Sequence, residues 1–249
     1  MHQPVFSIIT IVYNAETEIV PTVKSIIQQT YSKIEYIIID GNSSDRTLEA
    51  IRPFKDKIAK IVSEPDKGLY DAMNKGIAHA TGNYIWFINA GDELANNDVV
   101  ASVAKKLDTL PDIIYGETTM IDQSGRTLGP RRLKAPQVLN WQSLQWGMVV
   151  CHQSFIVAKE KCLNYDLSIK IAADIDWMIN VLKSAESIFN SGMVLSKFKT
   201  GGKSYKNIPR GLRERFKIMQ SNFGFWLTVK NHFVLGARFL SYVLRNGRW

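Results

Sequence analysis

The stretch that decides the fold reads VFSIITIVYN, from Val5 to Asn14. The run from Val5 to Val12 is apolar and rich in β-branched residues, which is typical of a strand buried on both faces of a sheet. From Glu16 to Gln29, apolar side chains recur at helical spacing. They are Ile19, Val23, Ile26 and Ile27. The two patterns predict a strand followed by a helix.

The alternation of apolar runs and helical patterns continues to Asn89. Further strands are predicted at Ile34–Asp40, Ile58–Ser63 and Tyr84–Asn89. Between them, Asp45 can cap a short helix that runs through Ile51, and a longer helix is expected from Leu69 to Ala80. Strands that alternate with helices predict an α/β fold, with a mostly parallel sheet covered by helices on both faces.

Polar residues follow each of the four predicted strands. The ends read Tyr13-Asn14, Asp40-Gly41-Asn42, Glu64-Pro65-Asp66 and Asn89-Ala90-Gly91-Asp92. Asn, Asp and Gly are common in turns, which would explain any one of these ends by itself. Since ligands of such sheets bind beyond the carboxyl ends of the strands, the four ends together predict a binding site at this rim.

The net charge of +8 is unevenly distributed along the 249 residues. From Lys197 to Trp249 there are twelve Lys and Arg residues against one acid, Glu214, so this segment carries +11 and the preceding residues carry −3. Such asymmetry is typical of a basic segment that meets a polyanionic surface, either a membrane or a nucleic acid.

Three sequence features bear on location. The segment Met1–Phe6 lacks the basic and apolar regions of a secretory signal, and no stretch approaches eighteen uninterrupted apolar residues. The two cysteines, Cys151 and Cys162, show no zinc-ligand spacing and make no disulfide framework. We therefore expect a cytoplasmic protein without a membrane-spanning segment.

Several motifs, taken in order, resemble the inverting glycosyltransferases of family 2. The motifs are SIITIVYN at 7–14, IDGNSSD at 39–45 and NAGD at 89–92. The segments SEPDKGLYDAMNKG at 63–76, CHQ at 151–153 and ADID at 173–176 are similar to a bacterial branch that includes colanic-acid and other exopolysaccharide transferases. The resemblance covers residues 5–203 and implies the GT-A fold and a nucleotide-sugar donor, either a UDP- or a GDP-sugar.

A departing diphosphate requires charge neutralisation, which Mn²⁺ or Mg²⁺ supplies while bound to one or two carboxylates and to phosphate oxygens. Asp92 matches the metal ligand of the resembling family. That family usually has two or three acids in this motif. Here the first of those positions is Asn89, which leaves Asp92 as the main protein ligand.

The resemblance also implies contacts to the donor. Asp40 would accept a hydrogen bond from the base, and Tyr13 would stack on it. Lys67 would help to neutralise the diphosphate, and Asp71 and Asn74, on one helical face, would lie near the sugar and phosphates. The other residues predicted at the donor site are Thr10, Asn42, Asp45, Asn89, Ala90 and Gly91. For Asp45, capping of the next helix explains the residue equally well.

Inverting transfer requires a base that takes the proton of the acceptor hydroxyl. By resemblance, this base is Asp174, with Asp176 as the second choice. The residues His152, Gln153 and Trp177 would line the acceptor or diphosphate side. A loop at Gly201–Ser204 would close over the diphosphate.

The residues after Asn207 are predicted to form basic amphipathic helices. The expected division is a GT-A domain at 1–206, with a nucleotide half at 1–95 and an acceptor half at 96–206, and a tail at 207–249. We expect the tail to lie on the inner face of the cytoplasmic membrane, near a glycan or polyprenyl-diphosphate-linked acceptor. Its basic residues are Arg210, Arg213, Lys217, Lys230, Arg238 and Arg245, and its aromatic residues are Phe223, Phe225, Trp226, Phe233, Phe239 and Tyr242. Alternatively, the aromatic face packs against the catalytic domain or against a second copy in a homodimer.

Other protein classes fit the sequence less well. A dinucleotide-dependent dehydrogenase requires G-x-G-x-x-G after the first strand, where this chain has YNAETE at 13–18. A sugar nucleotidyltransferase is expected to carry a loop rich in Gly and Arg at the same place. A nucleic-acid binder would explain the basic tail but not the acids at the strand ends, which repel phosphates unless a metal intervenes. The alternative that stays open is a nucleotide-sugar-binding protein of GT-A type with another role, such as a nucleotidyltransferase or a non-catalytic partner.

Overall fold

The computed structural model describes residues 3–201 and 208–246. The strands are β1 (Phe6–Val12), β2 (Ile34–Asp40), β3 (Lys60–Ser63), β4 (Tyr84–Phe87), β5 (Glu93–Leu94), β6 (Ile113–Ile121), β7 (Thr127–Pro130), β8 (Phe155–Ala158) and β9 (Ile188–Lys199). The helices are α1 (Ile19–Ile27), α2 (Thr47–Ile51), α3 (Leu69–His79), α4 (Val99–Lys105), α5 (Ala173–Ser184), α6 (Ile208–Phe223) and α7 (Phe225–Asn246). The strands and helices predicted up to Asn89 are all present, with ends that differ by a few residues.

The strands form one sheet in the order β3-β2-β1-β4-β8-β6-β9-β5, with β7 paired to β6. The first four strands in this order are mutually parallel. Strand β8 is antiparallel to both of its neighbours, β6 and β9 are parallel, and β5 and β7 pair antiparallel at the margins. The structure confirms the predicted α/β fold with a mostly parallel sheet.

Two hydrophobic clusters cover the two faces of the sheet. Strand β1 is buried along its whole length, and its residues alternate between the clusters because successive side chains of a strand point to opposite faces. On one face, α3 and α5 supply Met73, Trp177 and Met178. On the other face, α1 and α4 supply Val23 and Val103. Burial on both faces is the physical reason that the run from Val5 to Val12 is apolar.

The C-terminal helices α6 and α7 follow the sheet in the chain, and part of the surface of α6 packs on the α/β core. Ile218 and Met219 of α6 are buried in the same cluster as α5. Phe223 is partly buried and stacks on Trp141 with ring centroids 5.3 Å apart, so for this residue the structure favours the alternative of packing against the domain. Gly224, at φ 83°, separates α6 from α7.

Within residues 3–201 and 208–246, no helix combines the length and the apolar character needed to cross a membrane. Several predicted features lie outside the described part of the chain. They are the loop residues Gly202, Lys203 and Ser204 and the side chains of Arg238, Phe239, Tyr242 and Arg245.

Candidate functional site

The register of the parallel strands places three strand ends at one level. Asp40 of β2 pairs with Val12 of β1 on one side and with Ser63 of β3 on the other. The polar residues that follow these three strands therefore emerge at the same edge of the sheet. This arrangement confirms that the predicted rim exists.

Gly41 permits close contact between these strand ends. A Cβ atom on Gly41 would lie 2.3 Å from Oδ2 of Asp66 and 3.3 Å from Cδ2 of Tyr13. Any side chain at this position would displace the Asp66 carboxylate, which accepts a hydrogen bond from the Gly68 N–H at 2.8 Å. Tyr13, half exposed at 50%, and Asp66 therefore pack closely against the Gly41 backbone, which only a residue without a side chain permits.

Asp40 is fully buried at the centre of this rim. Its Oδ1 accepts from the Ser43 hydroxyl at 2.5 Å, and its Oδ2 accepts from the Ser43 N–H at 3.0 Å and the Ser63 hydroxyl at 2.6 Å. Oδ2 accepts two hydrogen bonds and Oδ1 accepts one, so a further donor would have to bond Oδ1. The two bonds from Ser43 show that Asp40 fixes the loop that follows β2.

Asp45 bonds the backbone N–H of Thr47, the first residue of α2, whereas the N-cap position itself is Arg46, which has no side-chain cap. Its Oδ1 accepts from the N–H of Thr47 at 3.0 Å, and its Oδ2 accepts from the N–H of Glu16 at 3.2 Å. The hydrogen bond from the Thr47 hydroxyl, followed by those from the backbone, lowers the pKa of Asp45 despite desolvation. Asn42 is exposed and occupies the left-handed region at φ 62°.

The residues predicted on α3 have different surroundings. Lys67 is exposed, and its N–H donates to Oδ2 of Asp71 at 2.8 Å. Asn74 donates to the carbonyl oxygen of Tyr165 at 3.0 Å and accepts from the Tyr165 N–H at 2.7 Å. Both ends of the Asn74 amide bond this backbone, so its role at the donor stays a prediction that would use its remaining N–H or lone pair.

Thr10 is also not available to a donor. The side chain is fully buried within β1. Its hydroxyl donates to the carbonyl oxygen of Ile88 at 2.8 Å and lies 3.1 Å from the Tyr36 hydroxyl. The prediction that Thr10 contacts the donor is wrong because the residue lies inside the sheet and bonds neighbouring strands.

Asp92 lies in the turn after β4 and is only 5% exposed. Its Oδ2 accepts from Nε2 of Gln153 at 2.6 Å, and its Oδ1 accepts from the N–H of Lys199 at 2.9 Å. Burial raises the pKa of Asp92 to about 7, although the two hydrogen bonds oppose the shift. The nearby charges of Glu18 and Glu93 add to the increase. A cation beside this carboxylate would favour its ionised form.

The turn that presents Asp92 is fixed by α1 and β1. The N–H of Gly91, at φ 96°, donates to the Thr22 hydroxyl at 3.0 Å, and that hydroxyl donates to the carbonyl oxygen of Asp92 at 2.7 Å. The N–H of Ala90 donates to the carbonyl oxygen of Ile11 at 3.1 Å. The backbone around Asp92 is therefore held before any ligand binds.

The donor atoms at this turn fit a divalent cation that is bound largely through its substrate. Oδ1 of Asn89 is buried and lacks a hydrogen-bond partner among the described residues. Each oxygen of Asp92 accepts one hydrogen bond and retains a further lone pair. Within residues 3–201 and 208–246, no group of three or more His, Cys, Asp or Glu side chains has metal-binding geometry. A cation here would take one or two protein oxygens, with phosphate and water for the rest.

A buried aromatic cluster occupies the place predicted for acceptor contacts. Trp177 stacks on Tyr165 at 4.8 Å, and its Nε1 donates to the carbonyl oxygen of Leu163 at 2.6 Å, so the prediction that it binds acceptor is wrong. His152 is buried beside Phe87, with Nε2 2.6 Å from the Tyr165 hydroxyl. Burial lowers the pKa of His152 to about 4, which keeps the ring neutral at neutral pH. Both rings are therefore part of the buried core.

The two candidate bases lie in the first turn of α5. Oδ1 of Asp174 accepts from the N–H of Ile175 at 2.9 Å. Burial raises the pKa of Asp174, and the charge of Arg215 opposes that increase. Asp176 is half-buried and accepts from Nδ2 of Asn180 at 3.1 Å. Burial raises the pKa of Asp176 as well, followed by the nearby charge of Asp166.

Sequence reasoning did not identify four residues that shape the site. Ser43 and Ser63 bond Asp40, and Glu18 and Lys199 form an ion pair, with Oε1 and Nζ 3.6 Å apart, next to Gly91. Only Ser43 had a local signal, since Ser after Asp-Gly-Asn favours a side-chain-bonded turn. The backbone N–H of Lys199, the last residue of β9, bonds Asp92, and the local sequence around Lys199 gives no sign of this contact.

Comparisons with known proteins agree with this fold. The profile of Glycosyl transferase family 2 matches residues 7–165. An uncharacterized glycosyltransferase of Mycobacterium tuberculosis is 30% identical over 98% of this chain and 91% of its own length. S. aureus TarS in complex with UDP has a TM-score of 0.69 at 17% identity, over 98% of this chain and 74% of that chain. A mannosyltransferase from Pyrobaculum calidifontis, in complex with GDP-Man and Mn²⁺, has a TM-score of 0.66 at 16% identity, over 100% of this chain and 77% of that chain.

The two solved structures show that the fold is of the GT-A type. The profile match covers more than half of the sequence, and it includes the strand ends and the Asp92 turn described above. The chain belongs to glycosyl transferase family 2.

Proposed function

We propose that the protein transfers a sugar from a nucleotide diphosphate sugar to a hydroxyl group of a glycan or lipid-linked glycan. The transfer inverts the configuration at the anomeric carbon and uses Mn²⁺ or Mg²⁺. The observation that carries this proposal is the arrangement of Asp92, buried and oriented by Gln153, on the sheet whose rim also presents Tyr13 and Asp66. A carboxylate poised for a cation and an aromatic ring at a glycine backbone suit a nucleotide diphosphate.

The donor would bind at the rim. The exposed ring of Tyr13 offers a stacking surface for the base, and the exposed Lys67 supplies a positive charge for the phosphates. The related GT-A structures in complex with UDP and with GDP-Man support this class of donor. Either a UDP- or a GDP-sugar fits the present observations.

The metal would be held by Asp92, with the buried Oδ1 of Asn89 as a second oxygen. When bound, the cation would neutralise the charge of the diphosphate as it leaves. Gln153 and the Lys199 N–H hold the Asp92 carboxylate in one orientation. The Mn²⁺ in the Pyrobaculum calidifontis structure supports a metal in this fold.

Asp174 is the proposed base, and it would take the proton of the acceptor hydroxyl. Its raised pKa makes its carboxylate a stronger proton acceptor than that of an exposed aspartate, and the charge of Arg215 favours the ionised form. Asp176 is the second choice because its carboxylate bonds Asn180 on its own helix.

The proposed setting is the biosynthesis of a bacterial surface or exopolysaccharide at the cytoplasmic membrane. The C-terminal segment would hold the enzyme at the inner face of that membrane as a peripheral protein. On α7, Trp226 and Phe233 are each 81% exposed and lie seven residues apart, on one face with Lys230. After Glu214 the sequence has no acidic residue, and a basic face with exposed aromatic rings suits the interfacial zone of an anionic membrane.

A donor screen tests the proposed function. The protein is mixed with UDP- and GDP-sugars, Mn²⁺ and lipid-linked sugar acceptors, and release of the nucleoside diphosphate is measured. Thermal stabilisation by each nucleotide-sugar is measured in parallel. One donor should stabilise the protein and release nucleotide faster when acceptor is present. Stabilisation without acceptor-dependent release by any donor would instead favour a binding protein without transferase activity.

A further inference from the structure

Helix α6 reaches across to the segment that leads into Asp174. The carboxylate of Glu214 accepts hydrogen bonds from three consecutive backbone N–H groups. The distances are 3.3 Å to Lys170, 2.7 Å to Ile171 and 3.1 Å to Ala172. This one side chain therefore fixes the backbone immediately before the helix that carries the proposed base.

The segment before α5 lacks the regular secondary structure that would otherwise hold its backbone. Residues 166–172 form turns and bends without helix or strand. Lys170 and Ile171 precede α5 and Ala172 is its N-cap residue, so the N–H groups of these three residues have no partner within the helix. Glu214 lies more than forty residues later in the chain, and its carboxylate oxygens accept hydrogen bonds from these N–H groups. Its loss would leave buried or half-buried N–H groups without partners.

A second side chain holds the same peptide through its carbonyl oxygen. The hydroxyl of Tyr70, in the first turn of α3, donates to the oxygen of Ile171 at 2.8 Å. The Tyr70 ring stacks on Tyr165 at 5.4 Å, which fixes its direction. Ile171 is therefore held between α3, on the donor side of the protein, and α6, in the C-terminal segment.

The pKa of Glu214 favours an ionised carboxylate, which is the form that accepts these hydrogen bonds. Burial raises the pKa of Glu214, but the hydrogen bonds from Ile171, Arg210, Lys170 and Ala172 outweigh it, so the net pKa is lowered. The carboxylate stays ionised, and Nε of Arg210 pairs with its Oε1 at 3.0 Å. The adjacent residue Arg215 places its charge near Asp174, and its buried Nε has no hydrogen-bond partner among the described residues.

We propose that Glu214 is a positioning residue for the transfer reaction, and that it holds the Asp174 carboxylate in place through the backbone of Lys170–Ala172. The C-terminal helical segment is then part of the catalytic apparatus as well as a membrane contact. This inference rests on the proposed function and on Asp174 as the base.

The first test compares kinetics of Glu214→Ala and Glu214→Gln with the wild type. Glutamine keeps the shape and one acceptor oxygen, so it preserves folding if alanine does not. We expect kcat to fall in the order wild type, Gln, Ala, by on the order of tenfold or more for Ala, with little change in the KM for donor. Gln220→Ala, an exposed polar change on the same helix, is the matched control and should behave as wild type.

The second test does not depend on activity. Hydrogen exchange of the backbone amides of Ile171 and Ala172 should accelerate in both Glu214 variants and not in Gln220→Ala. Tyr70→Phe, which removes the other bond to Ile171, should also lower kcat without a matching rise in donor KM.

The outcomes separate this inference from the proposed function. A wild-type protein that turns over no donor would contradict the proposed function. An active wild type with an equally active Glu214→Gln variant would overturn the positioning role, as would a variant whose loss of activity is entirely a rise in donor KM. Unchanged amide exchange at Ile171 and Ala172 would show that the three hydrogen bonds do not hold this backbone in solution.

Discussion

Gln153 donates a 2.6 Å hydrogen bond from Nε2 to Oδ2 of Asp92, and this bond ties the loop before β8 to the turn after β4. The other end of the amide accepts from Sγ of Cys151 at 3.0 Å, which orients the amide nitrogen toward the carboxylate. The resemblance predicts Gln153 on the acceptor or diphosphate side. In the structure Gln153 contacts Asp92, the proposed metal ligand.

Replacing Gln153 by leucine should weaken metal binding while preserving the fold. The change removes one of the two hydrogen bonds to Asp92 and leaves its carboxylate harder to ionise. We expect a loss of about ten- to a hundredfold in Mn²⁺ affinity, as is typical for residues that orient a metal ligand. Calorimetric titration with Mn²⁺ in the presence of nucleoside diphosphate measures the effect. Gln220→Leu serves as the control, and an unchanged affinity in Gln153→Leu would show that this hydrogen bond does not support the metal.

Removal of the Asp92 carboxylate should abolish most of the transferase activity. Asp92→Ala is expected to lose at least about a hundredfold in rate, because the developing charge of the diphosphate loses its counter-ion. Wild-type activity should disappear in excess EDTA and return with Mn²⁺ or Mg²⁺. Full activity of Asp92→Ala in EDTA would refute a metal-dependent mechanism at this residue.

The raised pKa of Asp92 predicts a pH-dependent effect of metal on stability. Since the pKa is about 7 in the folded protein and close to 4 in an unfolded chain, the folded state binds this proton more tightly. Its contribution to stability is present below pH about 4 and is lost as the pH rises through 7. Mn²⁺ with nucleotide should offset that loss, so the metal-induced rise in Tm should grow between pH 5 and 8. Asp92→Asn should show no such growth, and a pH-independent metal effect in the wild type would contradict the shift.

Asp174→Asn should retain donor binding and lose transfer, because an amide cannot accept the proton of the acceptor hydroxyl. Asp176→Asn is the matched comparison on the same helix turn. Nucleotide-sugar binding by thermal shift and nucleotide release with acceptor separate the two effects. If Asp176→Asn is inactive and Asp174→Asn is not, the roles are reversed. Product NMR should show the anomeric configuration opposite to that of the donor, and retention would exclude the inverting mechanism.

The exposed aromatic face of α7 predicts binding to anionic membranes. The double variant Trp226→Ser with Phe233→Ser should sediment less with anionic liposomes than the wild type does, since it loses the rings that enter the interfacial zone. Binding should weaken with added salt. Point variants are better suited than removal of the chain from Asn207, because that cut would also remove Ile218 and Met219 from the core. Leu128→Ser, at an exposed site on β7, is the control; equal sedimentation of all three proteins would leave this face without a lipid role.

The fold was predictable because its signals are local. The apolar runs of β1 and β2 and the helical spacing of α1 appear in consecutive residues, and burial on both faces of the sheet requires them. The position of Asp45 predicts a contact with the start of the next helix, and its carboxylate bonds the Thr47 N–H there, although the N-cap residue is Arg46.

The roles of individual polar residues were less predictable. Thr10 and Trp177 carry donor groups near the expected motifs, but each is buried and donates to a backbone carbonyl oxygen of another segment. Sequence spacing places a residue on a helix or strand. It does not reveal which partner satisfies a polar atom, because that depends on elements that meet only after folding.

The sequence by itself determined that this chain folds as an α/β protein with polar strand ends at one rim, since the period of apolar residues and the turn chemistry are encoded within each segment. Only the tertiary structure decided that Gln153 and Lys199 orient Asp92 and that Glu214 holds the backbone before Asp174. These contacts join residues tens of positions apart. Their hydrogen bonds form because burial leaves no water to satisfy the same polar groups.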